Sequence, residues 1–123
     1  MAAKRILVVD DDRGAAMVMR HMLLIGGYEV EEVYQGSEAL RRISESSFDL
    51  LLLDFNMRDI KGDRLCLMLR MDEKTKDLPI MIVTAHTERE ERIFKEYGAT
   101  EVIYKPVDSA EFNQKVKRCL KET

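Results

Sequence analysis

The chain holds two cysteines, Cys66 and Cys119, far apart in sequence and both within predicted helices. A disulfide framework or a zinc centre needs more cysteines at shorter spacing. Both thiols are therefore expected to be free and buried, in keeping with a reducing, cytosolic setting. The two histidines, His21 and His86, are too few for a histidine-rich metal site. Basic charge is not in excess either. The net charge is −3, with acids and bases interspersed, which argues against a nucleic-acid surface. No apolar run is long enough to cross a membrane and no signal peptide is recognisable. Linkers, repeats and low-complexity tracts are missing, so residues 1–123 are expected to form one domain. With 46% hydrophobic residues, that domain can bury a core.

What is present is a run of leucines that stops on an acid. Phe48 to Asp54 (F-D-L-L-L-L-D) reads as a strand buried on both faces. A carboxylate at the C-terminal end of such a strand lies where open α/β sheets bind ligands. The other segments alternate in type. Arg5–Val9 reads as a first strand, ending on Asp10, Asp11 and Asp12. A helix is expected from 13 to 24, with Ala15, Met19, Met22 and Leu23 at helical spacing, stopped by Gly26 and Gly27. Tyr28–Val33 alternates as an edge strand. A second helix is expected over 37–44 with Ala39, Leu40 and Ile43 inward. After a loop over 56–61, Gly62 opens or precedes a third helix carrying Leu65, Leu67, Met68 and Leu69. Strand four runs from Pro79 to Thr84. Thr87 and Glu90 have capping-box spacing for helix four, which Gly98 ends. Val102–Tyr104 is strand five. Asp108 and Glu111 repeat the capping spacing before Phe112, Val116 and Leu120 on one face of helix five. The eight methionines are expected mostly at core-facing helical positions.

Alternating strands and helices with right-handed crossovers give an α/β fold, (βα)5, a doubly wound parallel five-stranded sheet of order 2-1-3-4-5. That order sets strands one and three side by side and gathers Asp10, Asp11 and Asp54. Three carboxylates so close raise one another's pKa, and a hard divalent cation resolves the conflict. Mg²⁺ fits, because it takes carboxylate and phosphate oxygens. Capping explains one aspartate of the triplet rather than three. Asp54 is the candidate nucleophile, able to form an acyl phosphate. Thr84 is either a hydrogen-bond donor to a phosphoryl oxygen or an ordinary strand residue. Lys105 is either the positive charge that a phosphoryl group needs or a solvated surface lysine.

Together, I-L-V-V-D-D-D at 6–12, L-L-L-D-F-N-M at 51–57 with Gly62 eight residues after Asp54, T-A at 84–85 and K-P at 105–106 resemble the receiver domain of bacterial two-component response regulators. The likeness covers the whole chain. It implies that Asp54 accepts a phosphoryl group from a phosphohistidine on a sensor histidine kinase or histidine phosphotransfer protein. It implies that Asp11 and Asp54 bind Mg²⁺ directly, with the backbone carbonyl of Asn56, and that Asp10 binds through water. Lys105 and Thr84 would contact the phosphoryl oxygens, with a cis Lys105–Pro106 bond aiming the lysine inward. Phosphorylation would then alter the helix 4–strand 5–helix 5 surface for a downstream protein or fused effector, as a monomer or a phosphorylation-dependent dimer. Such a chain is a cytoplasmic phosphoacceptor rather than an enzyme.

Two residues depart from the family pattern. Arg58 replaces a usual proline, which implies a looser loop after Asp54. Val102 replaces a usual aromatic three residues before Lys105, which implies a damped switch through Thr84. Tyr104 is expected on the face opposite the lysine. Asn56 and His86 are expected to set the lifetime of the phosphoryl group. The competing readings are a haloacid-dehalogenase-type phosphatase, which wants an acid where Asn56 stands, a flavodoxin-like cofactor binder, whose phosphate the Asp10–Asp12 triplet would repel, and a pseudo-receiver that never takes phosphate.

Overall fold

Five short runs rich in leucine, isoleucine and valine pair in parallel: β1 (Arg5–Val9), β2 (Glu29–Val33), β3 (Leu50–Asp54), β4 (Ile80–Thr84) and β5 (Glu101–Tyr104). Their order in the sheet is β2-β1-β3-β4-β5, as expected. The computed structural model describes residues 3–85 and 91–122. His86 and the expected Thr87–Glu90 capping pair lie outside the described residues.

Every residue of β3 and β4 is buried. This is why those strands read as unbroken apolar runs rather than as alternation. The two faces of the sheet nonetheless carry separate cores. Ile6, Val8, Leu50, Leu52, Met81, Val83 and Ile103 pack under α1 (Arg13–Ile25) and α5 (Ser109–Cys119). Leu7, Val9, Leu51, Leu53, Ile80, Ile82 and Val102 pack under α2 (Gly36–Glu45), α3 (Gly62–Met71) and α4 (Glu91–Glu96). At the edge, β2 keeps exposed and half-buried glutamates and buries Val33.

Several local signals hold. Asp12 is the aspartate that caps α1, accepting from the Gly14 and Ala15 N–H groups at 3.0 and 3.2 Å. Asp108 caps α5 by accepting from the Glu111 N–H at 2.9 Å. Gly27 and Gly98 take positive φ where α1 and α4 end. Cys66 and Cys119 are free and buried, and burial pushes both thiols up to about 12.

Other expectations are corrected. Ala16, Met19 and Leu23 form the buried stripe of α1, whereas Ala15 and Met22 are half-buried. The methionines are not mostly core residues of helices. Met19 is the buried helical one among the described residues, and Met57 and Met81 are buried in a loop and a strand. Met17, Met68 and Met71 are exposed. An unbranched thioether tolerates solvent and core alike, so its type says little about burial.

Candidate functional site

Alternation along the strands decides which side chains meet at the C-terminal edge of the sheet. Asp10 and Asp54 continue the rows of Ile6, Val8 and Leu50, Leu52. Lys105 continues the row of Ile103. All three therefore point to the α1/α5 face, and the side chains converge. Lys105 Nζ lies 3.1 Å from Asp10 Oδ2 and 3.7 Å from Asp54 Oδ1. Asp10 is fully buried and Asp54 nearly so. Asp11 turns to the mouth, where Arg58 Nε stands 3.7 Å from its Oδ2. Carboxylate oxygens of Asp10, Asp11 and Asp54 lie within 4.8 Å of one another. Such an all-oxygen donor set of converging like charges suits a hard divalent cation and no soft one.

The electrostatics follow from this crowding. Burial pushes the Asp54 carboxyl up, and the Asp10 charge pushes it further, to about 6; Lys105 and the Asn56 N–H pull the other way. That N–H donates to Asp54 Oδ1 at 3.5 Å, a long contact. Burial lowers the Lys105 ammonium, but Asp10 and Asp54 outweigh it and the group is raised. It is therefore a cation at any physiological pH.

Thr84 and Val102 belong to the other face. Thr84 ends β4 fully buried, and its carbonyl accepts from the Lys105 N–H at 2.8 Å. Because Asp54 pairs with Val83, Thr84 stands one residue beyond the acceptor on the neighbouring strand. Its partner across β5 is Tyr104, which packs with the α2–α4 core, opposite Lys105 as alternation requires. Lys105–Pro106 is a cis peptide bond.

The loop after Asp54 is tied by hydrogen bonds at both ends. Phe55 N–H donates to Val83 O at 3.1 Å, and Gly62 N–H donates back to Phe55 O at 2.9 Å. Met57 is fully buried, and the Phe55 ring meets Phe94 edge-on at 4.9 Å. Asp59, passed over in the sequence, accepts from the N–H groups of Gly36, Ser37 and Ile60 at 2.9 to 3.0 Å. Burial opposes its charge, but the Ser37 and Gly36 N–H groups outweigh it and hold its carboxyl below the usual range. The only sequence signal is that Gln35, before Gly36-Ser37, is not a preferred capping type; in the structure it makes no side-chain cap, and α2 takes its acceptor from elsewhere. A Cβ on Gly62 would come 2.8 Å from Phe55 Cα, a backbone atom that cannot turn aside. Gly62→Ala is expected to cost about 1–2 kcal/mol of unfolding free energy, measured by urea denaturation.

A model of the response regulator receiver domain matches residues 6–117. The chain belongs to this family. Its receiver is similar to the phosphate regulon transcriptional regulatory protein PhoB of Rhizobium meliloti, with 35% identity over 118 residues, 95% of this chain and 52% of that protein. The chain thus spans about half the length of the curated relatives it matches. Among solved structures, the receiver resembles chemotaxis protein CheY4 of Vibrio cholerae, with a TM-score of 0.89, 32% identity, and 97% and 100% of the two chains covered. It also resembles the signal receiver domain of a signal transduction histidine kinase from Syntrophus aciditrophicus, with a TM-score of 0.88, 31% identity, and 97% and 91% covered. Receivers of this family are signalling domains, and the Syntrophus one belongs to a histidine kinase. Among the described residues no helix is long and apolar enough to cross a membrane.

Proposed function

We propose that residues 1–123 act as one cytoplasmic receiver domain that takes a phosphoryl group on Asp54 in a Mg²⁺-dependent reaction. One observation carries the reading: a nearly buried carboxylate ends the central strand β3, with two further carboxylates and a lysine ammonium converging on it. Asp10, Asp11 and Asp54 would hold the ion, with the Asn56 carbonyl as a further oxygen. Bound there, Mg²⁺ supplies charge neutralisation for the carboxylates and for incoming phosphoryl oxygens.

The chain's own residues do the rest. An oxygen of Asp54 attacks phosphorus while the phosphorus–nitrogen bond of a phosphohistidine breaks, and the electron pair leaves with the imidazole. Lys105 offers its ammonium to a phosphoryl oxygen, which shares it with Asp10. Thr84 offers its hydroxyl from the adjacent strand. No group of the site has to be created during transfer, which fits a reaction governed by positioning and charge. A sensor histidine kinase or histidine phosphotransfer protein is the donor class. A shallow apolar hollow beside Lys105, lined by Ala15, Val18, Met19, Pro106 and Val107, suits contact with such a partner. The acyl phosphate would bias the α4–β5–α5 face toward a downstream protein or fused effector. The role is that of a phosphoacceptor rather than of an enzyme turning over a separate substrate.

Intact mass after incubation with Mg²⁺ and acetyl phosphate tests the reading. The expected result is one labile phosphoryl adduct, absent without Mg²⁺ and absent in Asp54→Asn. No adduct on the wild-type chain under either condition would favour a pseudo-receiver. Asn56→Ala is expected to change the lifetime of the adduct without abolishing its formation, followed as decay of the same mass peak.

A further inference from the structure

We infer that Asp59 is a positioning residue: its clasp on the start of α2 holds the β3–α3 loop, and with it the Asn56 carbonyl, ready for the divalent cation. The inference rests on the metal-binding part of the proposed function. Asp59 lies five residues beyond Asp54 and turns to α2 rather than joining the carboxylate cluster. Its two oxygens accept from Gly36 and Ser37 N–H at 2.9 and 3.0 Å, and one of them also accepts from Ile60 N–H at 2.9 Å. The neighbouring Ile60 fits against Gly36 so closely that a Cβ there would sit 3.0 Å from the Ile60 Cβ.

The clasp does two things at once. It satisfies the first N–H groups of α2, which Gln35 leaves without a side-chain acceptor. It also fixes residues 59 and 60 to a helix packed on the sheet. At the other end of the loop Phe55 is fixed to β4 by its N–H on Val83 O, and its carbonyl accepts from Gly62 N–H across the loop. Asn56 and Arg58 lie between these anchors. A proline at 58 would stiffen the loop through its own φ; here a carboxylate does so through tertiary hydrogen bonds. Partners that orient metal ligands commonly change affinity about 10–100-fold when lost. A partner that acts through two intervening residues of backbone is expected to matter less, about 3- to 10-fold.

Coupling of this kind is reciprocal. If the clasp tightens Mg²⁺ binding, Mg²⁺ must tighten the clasp by the same factor. The ordinary capping role predicts no such link, and this separates the two.

The experiment uses the whole chain and three variants: Asp59→Ala, Gln35→Asp, and the double variant. Gln35 is exposed and extended at the N-cap position, so an aspartate there can cap α2 on its own. Mg²⁺ affinity is measured by calorimetric titration, stability by thermal melting, and exchange of the Gly36 and Ser37 amides by NMR. Asp59→Ala is expected to melt roughly 3–6 °C lower and to bind Mg²⁺ about 3- to 10-fold more weakly. The double variant is expected to regain the melting temperature but not the affinity. In the wild-type chain, Mg²⁺ is expected to slow exchange of both amides. Recovery of affinity together with stability in the double variant would overturn the inference and leave Asp59 a helix cap. So would equal affinity in wild type and Asp59→Ala. If the wild-type chain bound no Mg²⁺, the metal reading itself would fall, and the inference with it.

Discussion

Lys105→Ala is expected to lose about 2–4 kcal/mol of stability at pH 7.5 without Mg²⁺, seen as a drop in urea midpoint at unchanged slope. The ammonium lies 3.1 Å from Asp10, which has no exposure at all, and 3.7 Å from Asp54. Removing it leaves two buried carboxylates facing each other with no cation between them. Breaking a fully buried pair in this way costs about 3–5 kcal/mol. The lysine side chain is 22% exposed, so water can partly replace it, and the expected loss sits lower. The pH dependence identifies the cause. Protonating Asp54, whose carboxyl is raised to about 6, removes the repulsion, so the gap to wild type is expected to shrink as pH falls toward 4. The lysine's own contribution is present throughout that range, because its raised ammonium stays protonated. Mg²⁺ supplies charge to the same carboxylates and is expected to narrow the gap at pH 7.5. Asp10→Asn placed on Lys105→Ala is expected to recover most of the loss. A loss equal at pH 4 and pH 7.5 would assign the effect to packing of the lysine's methylene stem, and would remove Lys105 from the electrostatic account of the site.

The two aspartates of that contact were legible in the sequence through periodicity and strand order, whereas the place of Lys105 rested on the resemblance. A leucine run buried on both faces has to be a central parallel strand, so its terminal aspartate lands at the sheet mouth. Strand order then brings Asp10 beside it. Alternation puts Tyr104 on the face opposite Lys105, as found, and the structure adds that the lysine shares its face with the two aspartates. What escaped the sequence depends on contacts that periodicity does not encode. Asp59 and the α2 N-terminus are separated by 22 to 23 residues, and no local pattern links them. The sequence therefore could not show that the loop carrying Arg58 is tied to α2. On α1 the spacing puts Met19 and Leu23 inward, as found, but picks Ala15 instead of Ala16 and treats Met22 as fully buried, because the outer face is also apolar, with Met17, Val18, Leu24 and Ile25 exposed. A stripe has no readable edge when both sides of it are hydrophobic.

Asp54→Asn is expected to be more stable than the wild-type chain at pH 7.5 without Mg²⁺, by about 1–3 kcal/mol, while losing phosphorylation altogether. The folded chain raises the Asp54 carboxyl from its ordinary 3.8 to about 6. A carboxyl raised on folding binds its proton more tightly in the native state than in the unfolded one. Its stabilising effect is therefore complete below about 3.8 and is lost as pH rises through about 6. At pH 7.5 the charged acceptor is a burden on the fold, because burial and Asp10 both disfavour it. Asparagine keeps the shape and discards the charge. The advantage of the variant is expected to vanish near pH 4, where the native carboxyl is protonated too. Saturating Mg²⁺ is expected to reverse the order. A ligand bound by the native state stabilises it by about 2.7 kcal/mol at a hundred times its Kd, and the asparagine offers a poorer ligand. Thermal melts across pH 4–8, with and without Mg²⁺, would show this crossing. A variant no more stable than wild type at pH 7.5 would mean that Lys105 already neutralises the acceptor, and that the reactive carboxylate is held in place without cost. The expected crossing would mean the opposite: the free domain stores unfavourable charge at Asp54, and binding the cation, then the phosphoryl group, relieves it. Occupancy of the site would then be felt by the whole fold, since the strand that carries the charge is the central one.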